Sequence, residues 1–315
     1  LMALAMQRWG LDRRIALLTL KRVGTKPANL VGGFMLATAV LSSFVSNTAT
    51  TAMMLPIGMS VVALFAGEQG AGAPGGDAPT ARDEPFAVCL MLSIAYAASI
   101  GGIGTIIGTP PNGYLVGFVR DTYGQEIGFL QWMAVGYPVV LVFLPITWWL
   151  LTRVLHPVPR ASPPGAADLI AGELARLGRA SRGEWATFGV LSAAVLGWTT
   201  RPLLEPFVPG LSDAGIAITA GVALFLVPVD LSRRVFVIDW PTARRMPWGV
   251  LLLLGGGSSL AQAVDANGVA AFIGSQTQLF GGMHPLVLTL AVTTGMIFLT
   301  ELTSNAATAA TIVPI

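Results

Sequence analysis

The eighteen Lys and Arg side chains of this 315-residue chain fall into six segments, 7–26, 66–86, 113–131, 153–185, 200–213 and 230–247. Long apolar runs separate them. A helix needs about 20 apolar residues to cross a hydrocarbon core. Runs 30–65, 87–108, 132–152, 186–200 and 214–229 are therefore predicted crossings, and 30–65 is long for a single helix. Residues 286–315 form a further apolar region. Residues 250–283 are also apolar, but carry Gly255, Gly256, Gly257, Asp265, Asn267 and Gly268. Broken backbone at membrane depth must be buried in protein or line a cavity, so this stretch is predicted to be a re-entrant helical hairpin. Residues 1–20 would be the tail of a matching hairpin.

Within the apolar pattern one unit recurs. Residues 44–57 read FVSNTATTAMMLPI and residues 302–315 read LTSNAATAATIVPI, with seven of fourteen positions identical at an offset of 258. The same offset pairs Ala3 with Ala261, Ala5 with Ala263, Gly10 with Gly268 and Ile15 with Ile273. Residues 3–57 and 261–315 thus read as one unit used twice. The five crossings between the copies make an odd number, so the copies enter from opposite faces. That is inverted topology, the usual basis of alternating access. The connection 68–85, rich in Gly, Pro and Ala, reads as a flexible loop. Residues 160–183, with Leu169, Ile170, Leu174 and Leu177 among charges, suit a helix lying on the membrane surface or a solvated linker.

Composition supports the membrane reading: 54% of residues are apolar and 11% charged, against about a quarter charged in soluble domains. A formal charge of +2 gives no case for nucleic acid. Cys89 stands alone and His156 and His284 are isolated, which leaves little material for a disulfide or a metal cluster. Lys and Arg divide eight to ten between the two sides, so they do not set the orientation. The compact group Arg8, Arg13, Arg14, Lys21, Arg22 and Lys26 favours the cytoplasm for its side. Leu1 is not an initiator, and the counterpart of the glycine-rich element described next would follow Ile315. The chain is therefore expected to be part of a longer protein.

The polar clusters carry the chemistry. Ser42, Ser46, Asn47 and Thr48 interrupt an apolar span, and Ser and Asn bond competitively to nearby backbone. The helix is expected to unwind near Ser46–Thr48, exposing carbonyl oxygens to a hard cation. A half-helix would then begin near Ala49, and its N-terminus carries roughly +0.5 charge, enough to hold a carboxylate without Lys or Arg. Ser, Thr and Asn also glue packed helices together; two clusters at a fixed offset favour a site. The run from Ser99 to Asn112, with GGIGTIIGTPPN at its end, closes another span. It lacks the Lys of a P-loop and the third glycine of a dinucleotide fingerprint. Pro110 and Pro111 are expected to end the helix at about Thr109 and free carbonyls for the cation. Gly104 and Gly108 also suit close helix packing. Two acids lie in the repeated segments, Asp265 at the hairpin and Glu301 among Phe298, Leu299 and Leu302. An ionisable group there is a functional candidate, though a carboxyl satisfied by Thr300 or Thr303 is the plainer reading.

At these residues the chain resembles the divalent anion:sodium symporter family, the dicarboxylate, citrate and sulfate carriers. SNTATTAMMLPI resembles its first signature, GGIGTIIGTPPN its second and TELTSNAATAATIVPI its third. ALAMQRWGLDRRIAL and LLLLGGGSSLAQAVDANGVA resemble its hairpin segments. The resemblance implies an all-α polytopic membrane protein with inverted repeats, re-entrant hairpins and unwound helices, in a cell membrane, here a bacterial inner membrane. It further implies a homodimer whose transport domain moves as an elevator. The segments would be 1–29, end of the first hairpin and basic loop; 30–112, first-repeat helices; 113–249, interfacial helix and scaffold spans; 250–285, second hairpin; and 286–315, start of the second-repeat helix.

By motif, one sodium ion would be held by Ser42, Ser46, Asn47 and Gly108, and a second by Thr300, Thr303 and Asn305. A dicarboxylate or other divalent anion would meet Asn47, Thr48, Thr109 and Asn305. The chain departs from the family at Ala306, where the third signature usually has Thr. Sodium-coupled symport of a C4-dicarboxylate is the leading expectation. A sodium-independent exchanger, or an arsenite, citrate-metal or sodium/proton carrier, stands behind it. An intramembrane enzyme is more remote, since HExxH, GxSxG and a Cys–His pair are all missing.

Overall fold

The computed structural model describes residues 1–67, 84–159, 165–208, 210–269, 272 and 284–313. In chain order the helices are α1 (Met2–Trp9), α2 (Leu11–Val23), α3 (Pro27–Ser42), α4 (Asn47–Gly67), α5 (Glu84–Gly102), α6 (Pro110–Tyr123), α7 (Phe129–Trp149), α8 (Ala166–Leu177), α9 (Arg182–Leu204) and α10 (Asp213–Leu226). After a two-stranded hairpin, β1 (Pro228–Asp230) with β2 (Val235–Phe236), follow α11 (Trp240–Ala243), α12 (Trp248–Ala266), α13 (Pro285–Leu302) and α14 (Asn305–Ile312). They form two compact units. One comprises Leu1–Thr109 and Gly128–Met246, the other Pro110–Ile127 and Pro247–Ile315.

The core of the larger unit is α2, α3, α4 and α5. Leu17, Leu20, Leu30, Phe34, Met35, Phe86, Leu90 and Ile94 are buried together there. Gly101 allows the closest approach: a Cβ there would collide with the Ala39 backbone of α3. A second core gathers around Trp198, whose ring stacks on Phe129 at 4.7 Å. Asp213, the first residue of α10, ties that core together. Its Oδ2 accepts from Phe129 N–H at 2.9 Å and its carbonyl from Trp198 Nε1–H at 3.0 Å.

Among the described residues two stretches are long and apolar enough to cross a membrane, Pro85–Gly102 and Phe129–Leu155, the latter α7 plus a π-helical turn (Leu150–Leu155). Half of the first window is buried and only 17% of the second. Helix α5 is thus a core helix, whereas α7 exposes Val135, Leu141, Phe143, Ile146 and Trp149. A lipid environment accounts for so apolar an outer face. Shorter apolar helices are Pro27–Ser42, Asp213–Leu226, Trp248–Gly257 and Leu286–Leu302.

Within segment 160–183 the described residues hold a helix, Ala166–Leu177, and not an open linker. Residues 160–164 lie outside the described residues, and from Ala166 the chain is helical. Ile170 is buried, and Leu169, Leu174 and Leu177 pack against the first core. Ionic contacts hold this helix to α2. Arg13 pairs with Glu173, and Arg14 reaches the carbonyls of Leu177 and Gly178. Arg14 also takes Glu184 with two nitrogens, at 2.6 and 3.3 Å. Glu184 closes a capping box with Ser181, accepting from its N–H at 2.5 Å while Ser181 Oγ accepts from Glu184 N–H at 3.1 Å. The predicted loop 68–85 falls almost wholly outside the described residues, as does the return arm of the predicted hairpin 250–285.

Burial opposes the charge on Glu184, but Arg14 and the Ser181 N–H prevail and hold its carboxyl below the ordinary 4.5. A depressed carboxyl contributes stability that is complete above the unfolded value and lost as pH falls through the folded one. The contribution of this pair is therefore present above about pH 4.5 and declines in acid. Arg14→Met strands a buried carboxylate and is expected to cost about 3–5 kcal/mol, read as a lowered unfolding temperature at pH 7. Arg14→Met/Glu184→Leu is expected to recover most of that loss.

Candidate functional site: two breaks in two helices

The first break lies between α3 and α4. Residues 43–46 are non-helical and α4 begins at Asn47, two residues earlier than expected. Ser46 explains the shift. As N-cap, it accepts from Ala49 N–H on Oγ, at 3.4 Å, and from Thr50 N–H on its carbonyl, at 2.9 Å. A serine cap satisfies an N–H that the helix cannot, so helical geometry starts directly after it. The next amides, those of Asn47 and Thr48, belong to the turn whose N–H groups have no intrahelical acceptor.

The glycine-rich element closes on this break. Helix α5 stops at Gly102, seven residues before the expected Thr109, and 103–109 is a chain of turns. The prolines do not end that helix. Pro110 opens α6, the position where a missing N–H costs nothing. Glycines make the earlier stop: a Cβ on Gly108 would collide with the Gly102 backbone, and one on Gly102 with the Asn47 carboxamide. Gly104 and Gly108 are thus loop glycines, not a helix-packing pair. Thr105, buried, donates its hydroxyl to Ser43 O, and Ser43 Oγ lies 3.0 Å from both Gly101 O and Ala39 O.

Ser42 Oγ lies 2.7 Å from Ala98 O and 2.8 Å from Asn47 Oδ1. One hydroxyl hydrogen serves one acceptor. A hard cation beside the two side-chain oxygens, or an Asn47 carboxamide turned to donate from Nδ2, resolves the conflict. The oxygens gathered at the break, Ser42 Oγ, Asn47 Oδ1 and the carbonyls of Ala98 and Gly101, are all neutral. Thr48 and Ser46 are exposed, Asn47 and Thr109 half-buried, and Gly108 buried.

The smaller unit holds the second break, between α13 and α14. Ser304 Oγ accepts from Ala307 N–H at 3.1 Å and Ser304 O from Thr308 N–H at 2.9 Å. These are the bonds of Ser46, each displaced by 258 residues. Gly10 and Gly268 also share a left-handed backbone, φ 72° and 68°. Helix α14 packs against α12 and α6: a Cβ on Gly257 would meet Ala310 Cβ at 2.6 Å, and Tyr114 Oη donates to Ala310 O at 3.2 Å. Thr300 Oγ1 donates to Ile297 O at 2.8 Å, while Thr303 Oγ1 contacts Leu299 O at 3.0 Å and Thr308 Oγ1. Those hydroxyls serve the backbone and each other, which corrects the reading that they satisfy Glu301, an exposed residue of the last turn of α13. Asn305 is exposed at the start of α14, and Asp265 sits in the last turn of α12.

The structure brings Ser42, Asn47 and, through Gly102, Gly108 into one assembly. It adds Ser43, Gly102 and Thr105, which sequence reasoning did not select; the signal was Thr105 inside the glycine run. Thr105→Val leaves the buried Ser43 carbonyl without its donor. It is expected to cost about 1–3 kcal/mol in thermal unfolding, while Thr105→Ser stays near wild type.

Comparison with known proteins agrees with this architecture. Residues 1–315 match the family described as the sodium:sulfate symporter transmembrane region. The chain is 39% identical over 319 residues to the sodium-dependent dicarboxylate transporter SdcS of Staphylococcus saprophyticus, and 37% identical to SdcS of Staphylococcus aureus strain NCTC 8325. Each match takes in all of this chain and 60% of the relative, so the chain spans about 60% of the length of these curated relatives. With the match covering every residue of a helical, apolar chain, the chain belongs to the sodium:sulfate symporter family, a family of membrane transporters and not of enzymes.

Proposed function

We propose that the whole protein is a secondary carrier that couples sodium entry to uptake of a C4-dicarboxylate or related divalent anion. The observation that carries this reading is the pair of serine-capped half-helices at Ser46 and Ser304, built with the same bonds. Each presents a partly positive N-terminus, which suits a carboxylate. The relatives named above as sodium-dependent dicarboxylate transporters support the same choice of ions.

In this reading sodium is a co-substrate. One ion sits by Ser42, Ser46, Asn47 and Gly108, a second by Thr300, Thr303 and Asn305. Neutral oxygen ligands suit an ion that must be released on each cycle. The anion meets the amides and side chains of Asn47 and Thr48, the Thr109 hydroxyl and Asn305. Ala306 still offers a backbone N–H and lacks only the hydroxyl that Thr48 supplies in the first copy. The inverted repeats would exchange access between the two faces, with a transport domain moving as an elevator within a homodimer.

The test is uptake of labelled succinate by proteoliposomes carrying the full-length protein, with and without a sodium gradient. Asn47→Ala removes a hydrogen bond to a charged group and is expected to weaken succinate by about 10–100-fold. Ala306→Thr is expected to tighten it. Uptake indifferent to sodium would replace symport by exchange or proton coupling.

A further inference from the structure

A cavity of about 640 Å³ opens where the end of α7 meets the start of α3, lined by Lys26, Pro27, Asn29, Thr152, Arg153 and Pro157. Its walls are fixed. Trp148 Nε1 donates to Ala28 O at 2.8 Å, and Gly32 leaves the Trp148 indole its space. Thr152 Oγ1 donates back to Trp148 O at 2.6 Å, holding the π-helical turn. The volume lies within the roughly 300–1,000 Å³ of small-molecule sites.

The charge of this cavity is one-sided. Lys26 and Arg153 are both exposed, and among the described residues neither pairs with an acid. Lys26 is the N-cap of α3, a 16-residue helix, so the positive end of the helix dipole points to the same place. Lys21 and Arg22 stand exposed in the last turn of α2.

Position identifies the anion. Arg153 and Thr152 lie at the end of the 27-residue apolar stretch Phe129–Leu155, which places the cavity where hydrocarbon gives way to water. Trp149, Leu150, Val154 and Leu155 stand exposed beside Arg153, at 55%, 38%, 52% and 55%. A tryptophan at such a level is a membrane-interface anchor. Cations lining the cavity and apolar side chains exposed beside them match the two ends of a phospholipid. Basic pockets at the ends of membrane helices take anionic headgroups.

We propose that this cavity is a headgroup site for an anionic glycerophospholipid, its phosphodiester held between Lys26 and Arg153 and its acyl chains lying along Trp149, Val154 and Leu155. A free phosphate shares the headgroup chemistry but has no use for the apolar flank. The site shares no residue with either helix break and does not depend on which anion is carried.

The test is native mass spectrometry of the full-length protein in detergent with phosphatidylglycerol, phosphatidylcholine or inorganic phosphate. Wild type is expected to retain phosphatidylglycerol over phosphatidylcholine. Lys26→Gln/Arg153→Gln is expected to weaken that retention about thirty-fold, from about one unit of surface attraction per cation. Lys26→Arg/Arg153→Lys keeps the charges and is expected to keep the lipid, as is the exposed control Arg176→Gln/Arg179→Gln. Undiminished retention of phosphatidylglycerol by the Gln variant would overturn the proposal. So would displacement of the lipid by millimolar inorganic phosphate.

Discussion

A backbone N–H or carbonyl at membrane depth has no water to turn to, so a helix can be interrupted there only where other groups take over. The architecture around both breaks follows from that constraint. At the first, Ser46 takes the Ala49 and Thr50 amides, and Thr105 supplies the Ser43 carbonyl. The loop 103–109 reaches the break only because Gly101, Gly102 and Gly108 have no side chains to collide with Ala39, Asn47 and the loop itself. At the second, Ser304 repeats the cap, and Gly257 lets α12 close on Ala310 behind it. What remains unbonded by the helix in each case is the first pair of amides, facing away from the cap. The same economy that makes a break tolerable thus leaves a partly positive helix end, the feature on which the proposed anion site rests.

The two copies share a plan without being equal. Thr50 is buried, 1% exposed, and its hydroxyl has no partner among the described residues. Its counterpart Thr308 bonds Thr303, a position occupied in the first copy by the apolar Val45. Conversely Thr48 gives the first copy a hydroxyl that Ala306 denies the second.

The fold was legible in the sequence wherever apolar length and offset carried the information. The long crossing 30–65 is indeed divided at the Ser-Asn cluster, and the 258-residue offset reaches down to the left-handed turns at Gly10 and Gly268. Less legible were features decided by tertiary contact. Helix α5 stops at Gly102 because its end packs on Asn47, a contact that proline position does not encode. Helix α8 buries Ile170, and Arg13 and Arg14 of α2 hold its Glu173 and the carbonyl of Gly178, contacts that local amphipathicity does not encode. Thr105 was overlooked because a threonine among glycines carries no periodic signal. Its role depends on a carbonyl 62 residues away.

The claim central to the proposed function is that each half-helix end takes a carboxylate of the anion. Amide hydrogen exchange of the full-length protein, followed in peptides 43–50 and 301–308 with sodium alone and with sodium plus succinate, tests it directly. The account predicts that succinate slows exchange in both peptides, through the amides of Asn47, Thr48, Asn305 and Ala306. Slowing confined to one peptide, or to neither while uptake persists, would contradict it.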